Sequence, residues 1–310
     1  DYNQFIYIAE RICGICAMGH SLGYAETVES LMGVEVPKRA EYLRIIWHEL
    51  SRVHSHLLWL GLAADAFGFE SMFMHCWRLR ERVLDLFEKT TGGRVILSVV
   101  KVGGVVRDID ATQMAEIISV LDGLKDDYTK IMNTLLTDTS VKNRTVGVGH
   151  ISTEDARSLS MVGPFARASN LPYDVRSFGK GAYGDLADFQ PIVATEGDCY
   201  ARVKVRCLEV LQSIEIIKEL AAKIPAGDIE VAVKGAPADG AQASNVLEQP
   251  RGECYYYARG NGSKNLERMR IRTPTSQNLA GMTVALKGCD LADVNMIILT
   301  IDPCISCTER

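Results

Sequence analysis

Apolar residues recur at helical spacing through four long stretches of the chain. Leu43, Ile46, Trp47, Leu50, Val53, Leu57 and Leu58 follow Pro37, which suits a first helical position. A helix is expected from there to about Phe67. A second is expected from about Ser71 to Thr91, closed by Gly92 and Gly93. A third should span Ala111 to Leu136, and a fourth should run from about Gly197 to Lys223 and stop before Pro225. Strand signals are local. Ile229–Val233 is β-prone, and Glu253–Ala258, an Asn261-Gly262 turn and Arg268–Arg272 together predict a hairpin. Met296–Ile301 is short and apolar, so its periodicity fits helix or strand. Val102–Val106 and Phe178–Gly184 read as loops. The pattern predicts a mainly α (α+β) fold: a bundle of long helices with small peripheral β-hairpins.

Composition narrows the class. The 310 residues are 47% hydrophobic and 24% charged, enough to bury a sizeable core. We expect residues 1–310 to form one domain. The net charge is -5 and basic residues form no runs, which argues against a nucleic-acid partner. The best apolar run, Leu57–Ala64, is stopped by Asp65 well short of a membrane span. The opening residues carry no signal-peptide pattern. Any membrane contact is therefore expected to run through a partner subunit. Asp1–Glu10 lead almost at once into a cysteine motif, so an N-terminal segment is expected to precede them.

Of nine cysteines, four form two CxxC pairs and five (Cys76, Cys199, Cys207, Cys254, Cys289) stand alone. That usage suits a reducing compartment with one metal site. The first pair is Cys13 and Cys16, in Glu10-Arg11-Ile12-Cys13-Gly14-Ile15-Cys16 followed by His20-Ser21. The second is Cys304 and Cys307, in Asp302-Pro303-Cys304-Ile305-Ser306-Cys307-Thr308-Glu309-Arg310. A tight CxxC turn lets two sulfurs face one ion. Spacing alone favours structural zinc, with rubredoxin-like iron next. Two features oppose it. Zinc staples close small local loops, whereas these pairs join opposite ends of the chain. A helical domain of this size also needs no zinc to fold. A functional metal site joining the N- and C-terminal motifs is expected instead.

The flanks carry a resemblance. R-I-C-G-I-C-x-x-x-H-S and D-P-C-x-x-C-T-E-R resemble the two signatures of nickel-iron hydrogenase large (catalytic) subunits. The closing T-E-R resembles the membrane-bound, energy-converting (Ech-type, group 4) branch, whose members are cut by a maturation protease after this basic residue. A chain ending there looks already processed. Val36–Arg44, His54–Leu57 and Gly103–Ile109 resemble the same branch and also its relative, the quinone-site subunit of respiratory complex I. Complex I subunits have lost the four cysteines, so their presence separates the two.

The resemblance implies a nickel-iron centre with carbon monoxide and cyanide ligands on iron. Cys13, Cys16, Cys304 and Cys307 would all bind nickel, with Cys16 and Cys307 also bridging to iron. The implied reaction is heterolytic cleavage of dihydrogen or reduction of protons, with Cys304 as the base that takes the proton. Arg251, in Gln249-Pro250-Arg251-Gly252-Glu253, resembles the family's P-R-G element and would offset the thiolate charge beside the metals. Its alternative is a surface arginine at a hairpin. Thr275, in Pro274-Thr275-Ser276-Gln277-Asn278, resembles the element that hydrogen-bonds a cyanide; its alternative is a helix cap. His20 fits a partner to a cysteine sulfur. His48, His54, His56 and His75 read as packing or interface residues, with His54 and His56 on different helix faces. Glu10 is a tempting proton relay, but the family's relay glutamate lies in the segment that would precede this chain.

The lone cysteines include no CxxC, so an iron–sulfur cluster within this chain is not expected. By resemblance, a small subunit with a 4Fe–4S cluster receives the electrons. Ferredoxin-like and integral membrane subunits would complete an assembly on the cytoplasmic face of the membrane, coupling exchange with ferredoxin to ion translocation. The rivals are a non-catalytic complex I-like subunit with a cysteine zinc site, a soluble hydrogenase with a deazaflavin or nicotinamide partner, and a plain zinc scaffold.

Overall fold

A computed structural model describes residues 1–309; Arg310, and with it the last position of the T-E-R reading, lies outside them. Helices α1 (Tyr2–Glu10) and α2 (Ala17–Met32) flank the first CxxC, and α3 (Lys38–Ala66) and α4 (Glu70–Thr91) follow. Strands β1 (Val100–Lys101) and β2 (Gly104–Val105) form a minimal antiparallel pair. Helix α5 (Ala111–Thr137) is succeeded by short α6 (Thr139–Thr145), α7 (Thr153–Ser158) and α8 (Gly163–Arg167). After two 3-10 turns at Val175–Phe178 and Gly181–Asp185 comes α9 (Cys199–Lys223). Strands β3 (Gln242–Gln249), β4 (Gly252–Gly260) and β5 (Leu266–Arg272) form an antiparallel sheet in that order. Helices α10 (Pro274–Ala285), α11 (Val294–Ile301) and α12 (Ile305–Thr308) close the described chain. No helix among the described residues is long and apolar enough to cross a membrane.

The long helices start and stop where side chains supply the missing backbone partners. Asp110 and Gln113 form a reciprocal capping box on α5. The Asp198 carboxylate accepts from the Ala201 N–H at the start of α9. Gly92 ends α4 in the left-handed region, as expected from its sequence. Pro37 sits one residue earlier than expected, as the N-cap of α3.

Helix α3 is the axis of the bundle, packed against α4, α9 and α2. It is buried nearly all round, and even its charged Glu49 and Arg52 are inaccessible. The sheet covers α2 through β3 and β4. Here Gly23 permits a close approach: a Cβ on it would lie 2.3 Å from the Tyr256 ring. That ring cannot yield, because its hydroxyl is held by His20 at 3.1 Å and Gln249 at 3.0 Å. Gly23→Ala is therefore expected to destabilise the fold by roughly 1–3 kcal/mol, read as a lower denaturation midpoint at unchanged slope.

Three expectations change and one open reading is resolved: the expected loop Val102–Val106 contains strand β2, and the expected loop Phe178–Gly184 runs into the 3-10 turn at Gly181–Asp185. Ile229–Val233 forms no strand; Glu230 makes an isolated bridge with Gly104, and the Val231 N–H donates to the Gly103 carbonyl at 2.8 Å. Strand β2 is only two residues long, so the segment meets it at a single bridge and no ladder forms. Met296–Ile301 resolves to helix, as part of α11, with Met296, Ile297, Thr300 and Ile301 buried.

Candidate metal centre

The two CxxC motifs meet. The first lies in the break between α1 and α2, with Cys16 as the N-cap of α2. The second spans the start of α12, with Cys304 as its N-cap. The sulfurs of Cys13, Cys16 and Cys307 lie within 4.8 Å of one another. Cys304 Sγ is 3.5 Å from Cys13 Sγ, and Cys16 Sγ is 3.2 Å from it. Cys13, Cys16 and Cys307 are buried, whereas Cys304 is half-buried. Ile12 and Ile15 pack around the group.

The thiols of Cys13, Cys16 and Cys307 behave as one charge-sharing unit. Hydrogen bonds from Cys16, Cys304 and Cys307 pull the Cys13 thiol far down. Contacts with Cys13, Cys16 and Cys304 push Cys307 far up, the Cys13 contact weighing most. The Cys13 contact also raises Cys16. One thiolate suppresses ionisation of its neighbours. A cation among the sulfurs lets neighbouring thiols ionise together, and soft thiolates select nickel, iron or zinc.

The second motif is held by side chains from elsewhere in the fold. The Thr275 hydroxyl accepts from the Cys304 N–H at 3.2 Å. The Thr273 hydroxyl donates to the Cys307 carbonyl. Thr273 is the N-cap of α10, so Thr275 lies inside the first turn and is not the cap. The Trp59 indole N–H donates to the Leu299 carbonyl at 2.7 Å, and Arg206 caps the Thr300 and Ile301 carbonyls at the end of α11. Asp302 then turns the chain with φ 62, a left-handed conformation uncommon outside glycine.

Arg251 is buried beside this turn and is not a surface residue. Its Nε donates to the Asp302 carbonyl at 3.0 Å and its Nη2 to Asp302 Oδ1 at 2.8 Å. Nη1 reaches Ser55 Oγ at 3.4 Å. Burial alone would weaken the guanidinium's hold on its proton. Asp302 and the sulfurs of Cys16, Cys304 and Cys13 outweigh burial and hold it above its ordinary value. A cleft of about 450 Å³ with Leu58, Trp59, Leu62 and Leu299 in its wall ends on Arg251, Asp302 and Pro303.

His20 stands one helical turn after Cys16, with its ring at Tyr256 and Gln249. His54 Nε2 lies 3.1 Å from the Ile15 carbonyl inside the first CxxC, and its Nδ1 accepts from Arg80 Nε at 3.1 Å. His56 points the other way, to Glu209 on α9 at 2.9 Å. Glu10 is buried three residues before Cys13, and its carboxylate accepts from Ser98 at 2.8 Å. Burial raises its pKa. Sequence reasoning did not find Asp302, Ser55 or Thr273. The spacing of Asp302 from Pro303-Cys304 was the one available signal.

Residues 66–238 and 230–310 match the family described as respiratory-chain NADH dehydrogenase, 49 Kd subunit. Residues 1–63 match the nickel-dependent hydrogenase family. The chain is 37% identical over 327 residues to membrane-bound hydrogenase subunit alpha of Pyrococcus furiosus, covering 100% of this chain and 76% of that one. It is 37% identical over 308 residues to the carbon monoxide-induced hydrogenase of Rhodospirillum rubrum, covering 99% and 85%. Among solved structures, it superimposes with a TM-score of 0.95 and 29% identity on a chain of the membrane-bound sulfane sulfur reductase, an archaeal respiratory membrane complex. That match covers 100% of this chain and 85% of the other.

Proposed function

Because the chain belongs to the family that unites nickel-iron hydrogenase large subunits with the 49-kDa subunit of respiratory complex I, we propose that it is the hydrogen-activating subunit of a membrane-bound hydrogenase. The observation that carries this reading is the convergence of four sulfurs from the two ends of the chain, with a buried guanidinium beside them. A structural zinc site has no use for that buried cation.

The donor set fits a nickel-iron centre. Cys13, Cys16, Cys304 and Cys307 would hold nickel, and Cys16 and Cys307 would also hold iron. When bound, such a centre supplies the metals at which dihydrogen is split heterolytically or protons are reduced. The rest falls to the chain. Cys304 takes the proton, since it is the most exposed of the four and its backbone is fixed by Thr275. Arg251 offsets the thiolate charge and is held in place by its fork onto Asp302. Thr275 can donate its hydroxyl proton to a cyanide while its oxygen accepts from Cys304. His20 lies one turn behind Cys16, with its ring Nδ1 3.1 Å from the Tyr256 hydroxyl, where it would support the Cys16 side of the centre. The cleft that Leu58, Trp59, Leu62 and Leu299 share with Arg251 would give a small gas an approach to this side of the centre.

Electrons leave to a small subunit with a 4Fe–4S cluster, and then to ferredoxin-like and membrane subunits on the cytoplasmic face. The long match to the 49-kDa family favours a second reading, a complex I-like subunit without hydrogen chemistry. Infrared spectroscopy of the anaerobically purified complex separates the two. The expected result is one metal-carbonyl band and two cyanide bands. Zinc in the cysteine site with no such bands would establish the second reading.

A further inference from the structure

A second polar centre lies inside the bundle, with no cysteine in it. Glu49 and Arg52 of α3, Arg167 of α8, Glu209 of α9, Glu248 of β3, and Asp174 and Arg176 beside the first 3-10 turn are all buried and joined by hydrogen bonds. The centre sets four carboxyls against three guanidinium groups. His48 and His56 do not balance it, because burial lowers both pKa values and keeps the rings neutral. Arg206, one turn before Glu209, faces the α11 carbonyls instead. The other charges around it are matched in pairs: Lys180 with Glu26 across the void beside Glu248, Arg251 with Asp302, and Arg272 with Glu253 beside Tyr173. A net charge this deep is costly, so the neutral state of the centre carries one proton.

The contacts single out its holder. Glu49 is bound by Arg52, Arg176, Ser213 and Tyr183. Glu209 takes Arg167 through two nitrogens and His56. Asp174 takes Arg176 through two nitrogens. Glu248 has one N–H of Arg167 at 2.8 Å and a backbone N–H of Val175 at 3.2 Å. It is the least compensated of the four. The charges facing it act accordingly. Burial and Asp174 push Glu248 up to about 7 against Arg167 and Arg52, while the cations around Glu49, Asp174 and Glu209 hold those three low despite burial.

The centre also has a way out. A void of about 10 Å³, the size of one water, is lined by Glu248, Arg176, Tyr183, Lys180 and Glu26. Lys180, Glu26, Ile45 and Val246 also line an open cleft of about 700 Å³, which contains no cysteine. We propose that Glu248 is a proton-binding site that exchanges with solvent through this void and the Glu26–Lys180 cleft. Uptake protonates a carboxylate oxygen of Glu248; release returns the proton to water or to Glu26. Its use as a proton store three residues before Arg251 rests on the hydrogenase reading, but the site itself does not.

The test is the infrared band of a protonated carboxylic acid in the intact anaerobic complex. The band should be present below neutrality and lost as pH rises through about 7. It should shift when glutamate is 13C-labelled and vanish in Glu248→Gln. Because the labelling arm uses the unmodified protein, a misfolded variant does not remove the test. Glu26→Gln should keep the band and slow its shift on transfer to deuterium oxide. A wild-type complex without the band, a band that ignores glutamate labelling, or one that survives in Glu248→Gln overturns the site. An unchanged exchange rate in Glu26→Gln overturns the route. The band requires no metal, so its absence would leave the nickel-iron reading untouched.

Discussion

A Cys16→Ser chain will fold and assemble, yet hold no stoichiometric nickel, and its hydrogen activity will fall to background. Cys16 is the N-cap of α2, and its side chain makes no capping bond. Serine is among the best N-caps, so the helix should lose nothing and should gain a hydrogen bond to its first turn. Loss of function then cannot be assigned to a broken helix. What changes is the donor. A serine hydroxyl is a hard oxygen that stays protonated near neutrality, whereas the metals in question select soft thiolate. Cys16 lies 3.2 Å from Cys13 Sγ and within 4.8 Å of Cys307 Sγ, so no other side chain can replace its sulfur without moving the motif. Metal analysis beside circular dichroism decides the matter. A variant that folds, retains zinc and never held nickel would favour the structural reading, since zinc tolerates three protein ligands and a water.

The long helices were readable because the bundle obeys local rules. Helix α4, expected from about Ser71 to Thr91, spans Glu70–Thr91, and α5, expected from Ala111 to Leu136, spans Ala111–Thr137. Their caps are local, and their apolar faces repeat at the helical period. The hairpin of β4 and β5 was equally visible. Strand β3 was not, because Gln242–Gln249 is mostly polar and pairs only through long-range contact with β4. Helices α1 and α2 escaped attention for the opposite reason. The cysteine motif between them drew the reading toward ligands, and α2 is buried too evenly to show a polar face.

The site was legible only in its chemistry. The cysteine spacing gave the candidate ligands, and the P-R-G element pointed to Arg251, which lies buried beside them. Nothing in the spacing gave Asp302 as its partner, since Arg251 and Asp302 are brought together by β3, β4 and α11. The buried charge centre was missed although its signal exists. Glu49, Arg52 and His56 fall three and then four residues apart, which places them in one stripe along a helix that is buried nearly all round. Arg202, Arg206 and Glu209 repeat the pattern on α9. A charged stripe on a helix with no polar face is a mark of a buried network, because solvation cannot explain it.

Arg251→Lys is expected to keep the metals and lose about 10²–10³-fold in hydrogen turnover, the cost of removing one preorganised donor at a reacting centre. The substitution retains the charge, so the sulfurs keep their counter-ion and the buried Asp302 carboxylate is not left alone. It removes the fork. Arginine reaches the Asp302 carbonyl and carboxylate together, at 3.0 and 2.8 Å, and extends a third nitrogen to Ser55. A lysine ammonium on a flexible stem cannot meet those directions at once. The cation would wander from its place beside Cys304, and the left-handed turn at Asp302 would lose its clamp. Removing the charge as well, as in Arg251→Met, confuses the result, because an uncompensated buried carboxylate costs roughly 3–5 kcal/mol and would unseat the second CxxC. The informative measurement is therefore turnover per bound nickel in Arg251→Lys. Unchanged nickel with turnover within twofold of the parent would show that Arg251 supports the turn alone. Unchanged nickel with a loss near a thousandfold would place its guanidinium at the reacting hydrogen.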